Sequence, residues 1–135
     1  MMALMMDREL GTLAFHARVL DEARNPANPL MEQARFLGIA CSGLQEFITV
    51  RLGALSARLR KENPMRPSGM TLSETLEEAW KRIDQLTKQM EETLHEHILP
   101  SLEKQGIRLV KPQEVTPVQM AALSGVFHRD VMPTV

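Results

Sequence analysis

Apolar residues recur at three- and four-residue steps through most of this chain, the spacing that stacks side chains on one face of an α-helix. Leu10, Leu13, Ala14, Ala17 and Leu20 form the first such run, and Asp7 ahead of it suits an N-cap, so a helix is predicted over about 8–23. The stretch Asn25-Pro26-Ala27-Asn28-Pro29 ends it, because each proline lacks an amide donor and biases its predecessor away from helix. Asn28 is expected to cap a second helix with Pro29 in its first position and Leu30, Ala34, Leu37 and Cys41 as its buried stripe. Ser42-Gly43-Leu44-Gln45 has the form of a capping box, which predicts a break or bend near 41–43. Leu44, Phe47, Ile48, Leu52, Leu55 and Leu59 then carry a third helix as far as Asn63-Pro64.

A mobile loop is expected over 63–70, where two prolines and a glycine cluster. Thr71-Leu72-Ser73-Glu74 is a second capping box, and it opens the longest seam: Leu72, Leu76, Ala79, Ile83, Leu86, Met90 and Leu94. Glu77 with Lys81, Glu78 with Arg82 and Asp84 with Lys88 sit four apart in the favourable order and mark a wet outer face. Pro100 should kink or restart this helix and Gly106 end it. After an extended connection over 107–110, Thr116-Pro117-Val118-Gln119 starts a last helix with Val118, Ala122 and Val126 on one face. The pattern predicts an all-α fold, an antiparallel helical bundle with one long helical hairpin. The same seam could also serve a coiled-coil dimer.

Composition narrows this picture. A chain of 135 residues with 44% hydrophobic content suits one domain, predicted over 7–135 after a frayed N-terminus at 1–6. Four Phe, one Trp and no Tyr argue against a strand-rich core. A net charge of −1 supplies no general field for nucleic acid, so any anion site must be a local cluster. The lone Cys41 excludes an intramolecular disulfide and fits a cytoplasmic setting. The leading MMALMM run lacks a basic start and is too short for a signal peptide or membrane span.

Candidate chemistry is sparse. There is no GxxxxGK[ST] loop and no metal-ligand spacing, and His95 and His97, two apart on a helix, point away from each other. His128-Arg129-Asp130 matches a kinase catalytic triplet only by its three letters. His16 reads as a polar bond to a neighbouring helix. Two features remain. One is the Ser42 to Phe47 turn, whose amides could face a ligand or simply end a buried, capped helix. The other is the basic group Arg51, Arg58, Arg60, Lys61 and Arg66, either solvated charges near a helix end or a site for a polyanion.

The first 55 residues carry a more specific signal. Arg8-Glu9-Leu10, Leu13, Phe15, Arg18-Val19-Leu20, Asn28-Pro29-Leu30, Arg35-Phe36-Leu37, Ile39, Leu44, Glu46-Phe47 and Val50-Arg51 keep order and spacing with a family block. That block reads N-R-E-L-S-W-L-x-F-N-x-R-V-L, then N-P-L, R-F-L-x-I and S-N-N-L-D-E-F-x-x-V-R. The segment thus resembles the opening helical domain of class-1 polyphosphate kinases. Weaker likeness returns at Leu99-Pro100, at 106–109 and at Val131-Met132-Pro133, so the catalytic domains are expected beyond it. The resemblance implies a family that transfers the terminal phosphate of ATP reversibly to polyphosphate, using ATP and Mg in the full-length enzyme, with a phosphorylated histidine in later domains. It implies that this domain helps cover the nucleotide site and makes subunit contacts. The family's nucleotide-contacting Asn falls on Gly43, which has no side chain; Ser42, Gln45, Gly11-Thr12 and His16 are further departures.

The expected role is therefore a domain that is not catalytic alone, with no catalytic residue, cofactor or metal of its own and no membrane or specific nucleic-acid partner. It would act in nucleotide-site covering or as a homo-oligomer or polyphosphate kinase subunit contact. Two alternatives stand beside it: a stand-alone interaction or regulatory module, and a polyphosphate-binding module using Arg58, Arg60, Lys61 and Arg66.

Overall fold

The computed structural model describes residues 5–135, so residues 1–4 of the frayed N-terminus expected at 1–6 lie outside the described residues. Helix α1 spans Arg8–Ala23 and is capped as the sequence predicts: the Asp7 carboxylate accepts from the amides of Glu9 at 2.8 Å and Leu10 at 3.3 Å. Helix α2 spans Leu30–Glu46. Asn28 does not cap it. Its side-chain amide instead donates back to the Glu22 carbonyl and carboxylate, tying down the end of α1, and Pro29 takes the N-cap position with extended backbone.

No break follows at 41–43. Helix α2 runs into a π-helical turn, Phe47–Leu52, and then into α3, Gly53–Leu59, making one continuous rod over 30–59. Ser42 is exposed mid-helix with nothing to cap, because burying Leu37, Ala40, Leu44 and Phe47 on one face outweighs the local tendency to stop. The buried stripe is Gln33, Leu37, Ala40 and Leu44, and Cys41 sits beside it, exposed.

The 60–71 connection is closed on itself: Met65 and Thr71 form an antiparallel bridge, and Gly69 takes the left-handed φ of 87° that the turn requires. Thr71 caps α4, Leu72–Glu92, through the expected reciprocal box with Glu74. Leu72, Leu76, Ala79, Ile83, Leu86 and Met90 are all buried. Of the three outer-face pairs only Glu78 with Arg82 closes among the described residues, at 2.9 Å. A second π-helical turn, Thr93–Ile98, leads into α5, Leu99–Lys104. Pro100 explains that turn: an α-helical register would set its ring against the Glu96 carbonyl, and widening avoids the collision. In both π turns the residues five apart, Phe47 with Leu52 and Thr93 with Ile98, are buried together. Bonding from i to i+5 brings such a pair toward one face. Gly106, at φ 85°, ends the rod in a Schellman motif, its amide on the Glu103 carbonyl and that of Ile107 on Leu102.

The result is three antiparallel helical rods, 8–23, 30–59 and 72–104. Glu9 meets Arg51 and His16 meets Gly43 between the first two; Gln33 meets His97 and Cys41 meets Met90 between the second and third. Buried Gln33 holds the join: its Nε2 donates to the Asn28 carbonyl at 2.7 Å, and its Oε1 lies 2.6 Å from His97 Nε2. Helix α6, Pro117–Val126, begins at the predicted Thr116 box with Gln119. None of its residues is buried, and Val118, Met120, Leu123, Val126 and Phe127 face solvent. No helix among the described residues is long and apolar enough to cross a membrane.

Candidate functional site

Where α1 crosses the middle of the second rod, the two backbones come unusually close. A Cβ at Gly43 would lie 2.4 Å from Cε1 and 2.8 Å from Nδ1 of His16, so the imidazole occupies the space a side chain at 43 would need. Glycine is the residue that allows this approach. The ring has no hydrogen-bond partner among the described residues, and it stacks edge-on against Phe15. The polar bond to another helix expected for His16 is therefore replaced by a packing contact. Burial lowers its pKa and favours the neutral imidazole.

His16 lines a cleft of about 310 Å³ with Thr12, Gly43, Glu46, Phe47, Val50 and Arg51. The Arg51 guanidinium lies 3.2 Å from the buried Glu9 carboxylate, an ion pair that holds the two helices in register and fixes Arg51 at the cleft wall. Glu46 is exposed. The Ser42 to Phe47 segment contributes no free amides, since it is helix interior rather than a helix start.

The other candidate cations are dispersed in their duties. Arg66 Nε donates to Asp7 at 2.6 Å in a pair almost wholly removed from solvent, and Arg58 pairs with Glu62 at 2.6 Å. Arg60 and Lys61 are exposed, with no ion-pair partner among the described residues. For Asp7, burial pushes the carboxyl pKa up, but the Arg66 bond and the two capping amides outweigh it and hold the value below the ordinary one. Arg8, Arg58 and Arg66 line a second cleft, about 470 Å³, against the 64–68 turn.

A third, apolar groove of about 340 Å³ runs between the second and third rods, lined by Leu37, Cys41, Leu44, Ile48, Met90 and Leu94. Cys41 Sγ lies 3.7 Å from Met90 Sδ, and burial raises the thiol pKa. His128 is held by the Ser124 carbonyl on its own helix, and Arg129 pairs with adjacent Asp130, so the triplet is a local surface feature. Among the described residues no three His, Cys, Asp or Glu side chains converge to hold a metal ion.

The sequence marked Gly43 and Arg51 but not the ring that joins them. The available signal was that positions 16 and 43 both depart from the same pattern, which is what a volume exchange between touching residues produces.

Comparison with known proteins places this architecture. The sequence signature of the polyphosphate kinase N-terminal domain matches residues 5–110. The chain is 37% identical over 129 residues to polyphosphate kinase of Streptomyces coelicolor, covering 95% of this chain and 17% of that protein. Against polyphosphate kinase of Lactiplantibacillus plantarum it is 36% identical over 129 residues, covering 94% and 18%. The crystal structure of polyphosphate kinase from Porphyromonas gingivalis superposes with a TM-score of 0.77 at 28% identity, covering 99% of this chain and 19% of that one. The chain thus spans less than a fifth of the length of the curated relatives it matches. By signature, sequence identity and fold, it belongs to the polyphosphate kinase N-terminal domain family.

Proposed function

We propose that this chain forms one wall of the nucleotide site of a polyphosphate kinase and does not itself transfer phosphate. The reaction served would be reversible transfer of the terminal phosphate of ATP, with Mg, to polyphosphate in the cytoplasm, by domains outside the matched region. The observation that carries this reading is the α1–α2 cleft around His16 and Gly43, an open pocket with mixed polar and apolar walls inside the region that matches the family. Purified chain incubated with ATP, Mg and polyphosphate should give no phosphoenzyme and no chain growth. Turnover by the rigorously purified chain would overturn the proposal.

A contact role is supported by a separate observation. The apolar residues of α6 face solvent together, and such a face ordinarily marks a surface covered by another protein or domain. Sedimentation of the chain alone and with a full-length polyphosphate kinase tests this. A strict monomer that binds neither itself nor the kinase would refute it.

A further inference from the structure

We infer that the cleft between the start of α1 and the 60–71 turn is a binding site for an amphiphilic phosphate monoester, a compact phosphate group carrying an apolar body. This cleft lies apart from the α1–α2 crossing and shares none of its lining residues.

Three elements bring three arginines to this space of about 470 Å³: Arg8 opens α1, Arg58 comes from the end of α3, and Arg66 from the turn. Two of them are held by carboxylates through Nε alone, Arg66 on Asp7 at 2.6 Å and Arg58 on Glu62 at 2.6 Å. Those bonds orient both guanidinium groups and leave their terminal nitrogens without a hydrogen bond among the described residues. Arg66 is the decisive case. Its side chain is only 15% exposed, yet none of its nitrogens is both buried and unpartnered, so the terminal pair opens on the cleft that Arg66 lines. Arginine forks with free terminal nitrogens are the donors that match the several oxygens of a phosphate. Arg60 and Lys61, exposed on the adjoining segment, add to the positive potential.

The rest of the wall decides which phosphate. Met5, Met6 and Met65 are 67%, 74% and 67% exposed, and they line the same cleft with Pro64 and Pro67. Unbranched thioether chains adapt to an irregular apolar shape, and three left open side by side gain by being covered. Inorganic phosphate, single or in a chain, has nothing to lay on them. An ester does: its phosphate meets the arginines while its hydrocarbon lies on the methionines. A soluble monoester and a lipid headgroup share this chemistry.

The test is an NMR titration of the 135-residue chain, labelled at methionine methyls and arginine side-chain nitrogens, with hexyl phosphate, hexanol, inorganic phosphate and tripolyphosphate as separate probes. Hexyl phosphate should shift Met5, Met6, Met65, Arg58 and Arg66, and should bind at least about tenfold more tightly than inorganic phosphate, the worth of two buried methylenes. Hexanol should not bind measurably, and tripolyphosphate should leave the methionine signals in place. Met65→Gln should weaken hexyl phosphate about fivefold and leave inorganic phosphate unchanged. Arg8→Gln with Arg58→Gln should weaken both about tenfold, with helical circular dichroism unchanged. Phosphatidylcholine vesicles containing phosphatidic acid separate the two sources: displacement of hexyl phosphate by them assigns a lipid headgroup, and no displacement a soluble monoester. If inorganic phosphate binds as tightly as hexyl phosphate, or Met65→Gln changes nothing, the apolar body is not recognised and the assignment fails. If hexyl phosphate shifts neither the methionines nor the arginines, there is no site. Both failures leave the nucleotide-wall reading untouched, since its cleft is lined by other residues.

Discussion

Substituting Gly43 by alanine places two opposed effects on one carbon atom. The added Cβ would sit 2.4 Å from His16 Cε1, whereas non-bonded carbons settle at about 3.5–4.0 Å, so the ring must move by more than an ångström. Overpacking of that kind costs about 1–3 kcal/mol. Position 43 is also helix interior, where exchanging glycine for alanine stabilises by about 0.8–1.0 kcal/mol. Gly43→Ala alone should therefore lie between neutral and about 2 kcal/mol destabilising. With His16→Ala in the background the clash is gone, and the same exchange should stabilise by about 1 kcal/mol. The coupling between the two sites, about 1–3 kcal/mol, is the quantity to measure. Urea unfolding of the four proteins, followed by helical circular dichroism and fitted with a shared slope, gives it directly. Additivity within about 0.5 kcal/mol would refute the steric account, as would stabilisation by Gly43→Ala with His16 in place.

Acid stability should depend on Asp7. Its carboxyl pKa is held below the ordinary 3.8, so its contribution is complete above that value and is lost as pH falls through the folded one. Asp7→Asn should flatten the acid limb of the stability profile, and an unchanged limb would rule Asp7 out as its source. Asp7→Ala should cost about 2 kcal/mol in urea titration, since it removes a cap and leaves the half-buried Arg66 charge without its carboxylate. Deleting residues 116–135 should leave the urea midpoint of the bundle unchanged, because nothing there is buried; a large fall would show packing of α6 on the rods. Should the chain bind polyphosphate, neutralising Arg60 and Lys61 should reduce salt-sensitive retention on a polyphosphate resin more than neutralising Arg58 and Arg66, which already hold carboxylates. Retention unchanged by all four substitutions would end that idea.

The bundle was legible where one local interaction decides the outcome. Asp7, Thr71 and Thr116 cap helices because each stands beside free amides at a true start, and Gly106 ends one because the next step needs a left-handed backbone. Ser42 and Asn28 carry the same side-chain chemistry and do not cap. Ser42 lies where core contacts keep the helix running, and Asn28 finds better acceptors on Glu22. The π turns were not legible from period counting, which assumes one repeat throughout. Cys41 falls outside the stripe drawn for it because the buried face of α2 runs through Gln33, Leu37, Ala40 and Leu44. At the cleft, Gly43 could be read as a missing side chain. That its volume is filled could not, because the ring filling it belongs to another helix and only the crossing of α1 over α2 brings them together.

Gln33 bears on a different matter, the choice among alternative alignments of the rods. Leucine seams tolerate sliding, since one turn of displacement replaces Leu against Leu with much the same contact. A buried amide does not. Its nitrogen has the Asn28 carbonyl and its oxygen the His97 ring, and a slip of either neighbour would strand one of them at about 1–3 kcal/mol. One polar side chain at the join between the first connection and the far end of the third rod thus works as a registration pin, setting which of several near-equivalent leucine alignments the bundle adopts.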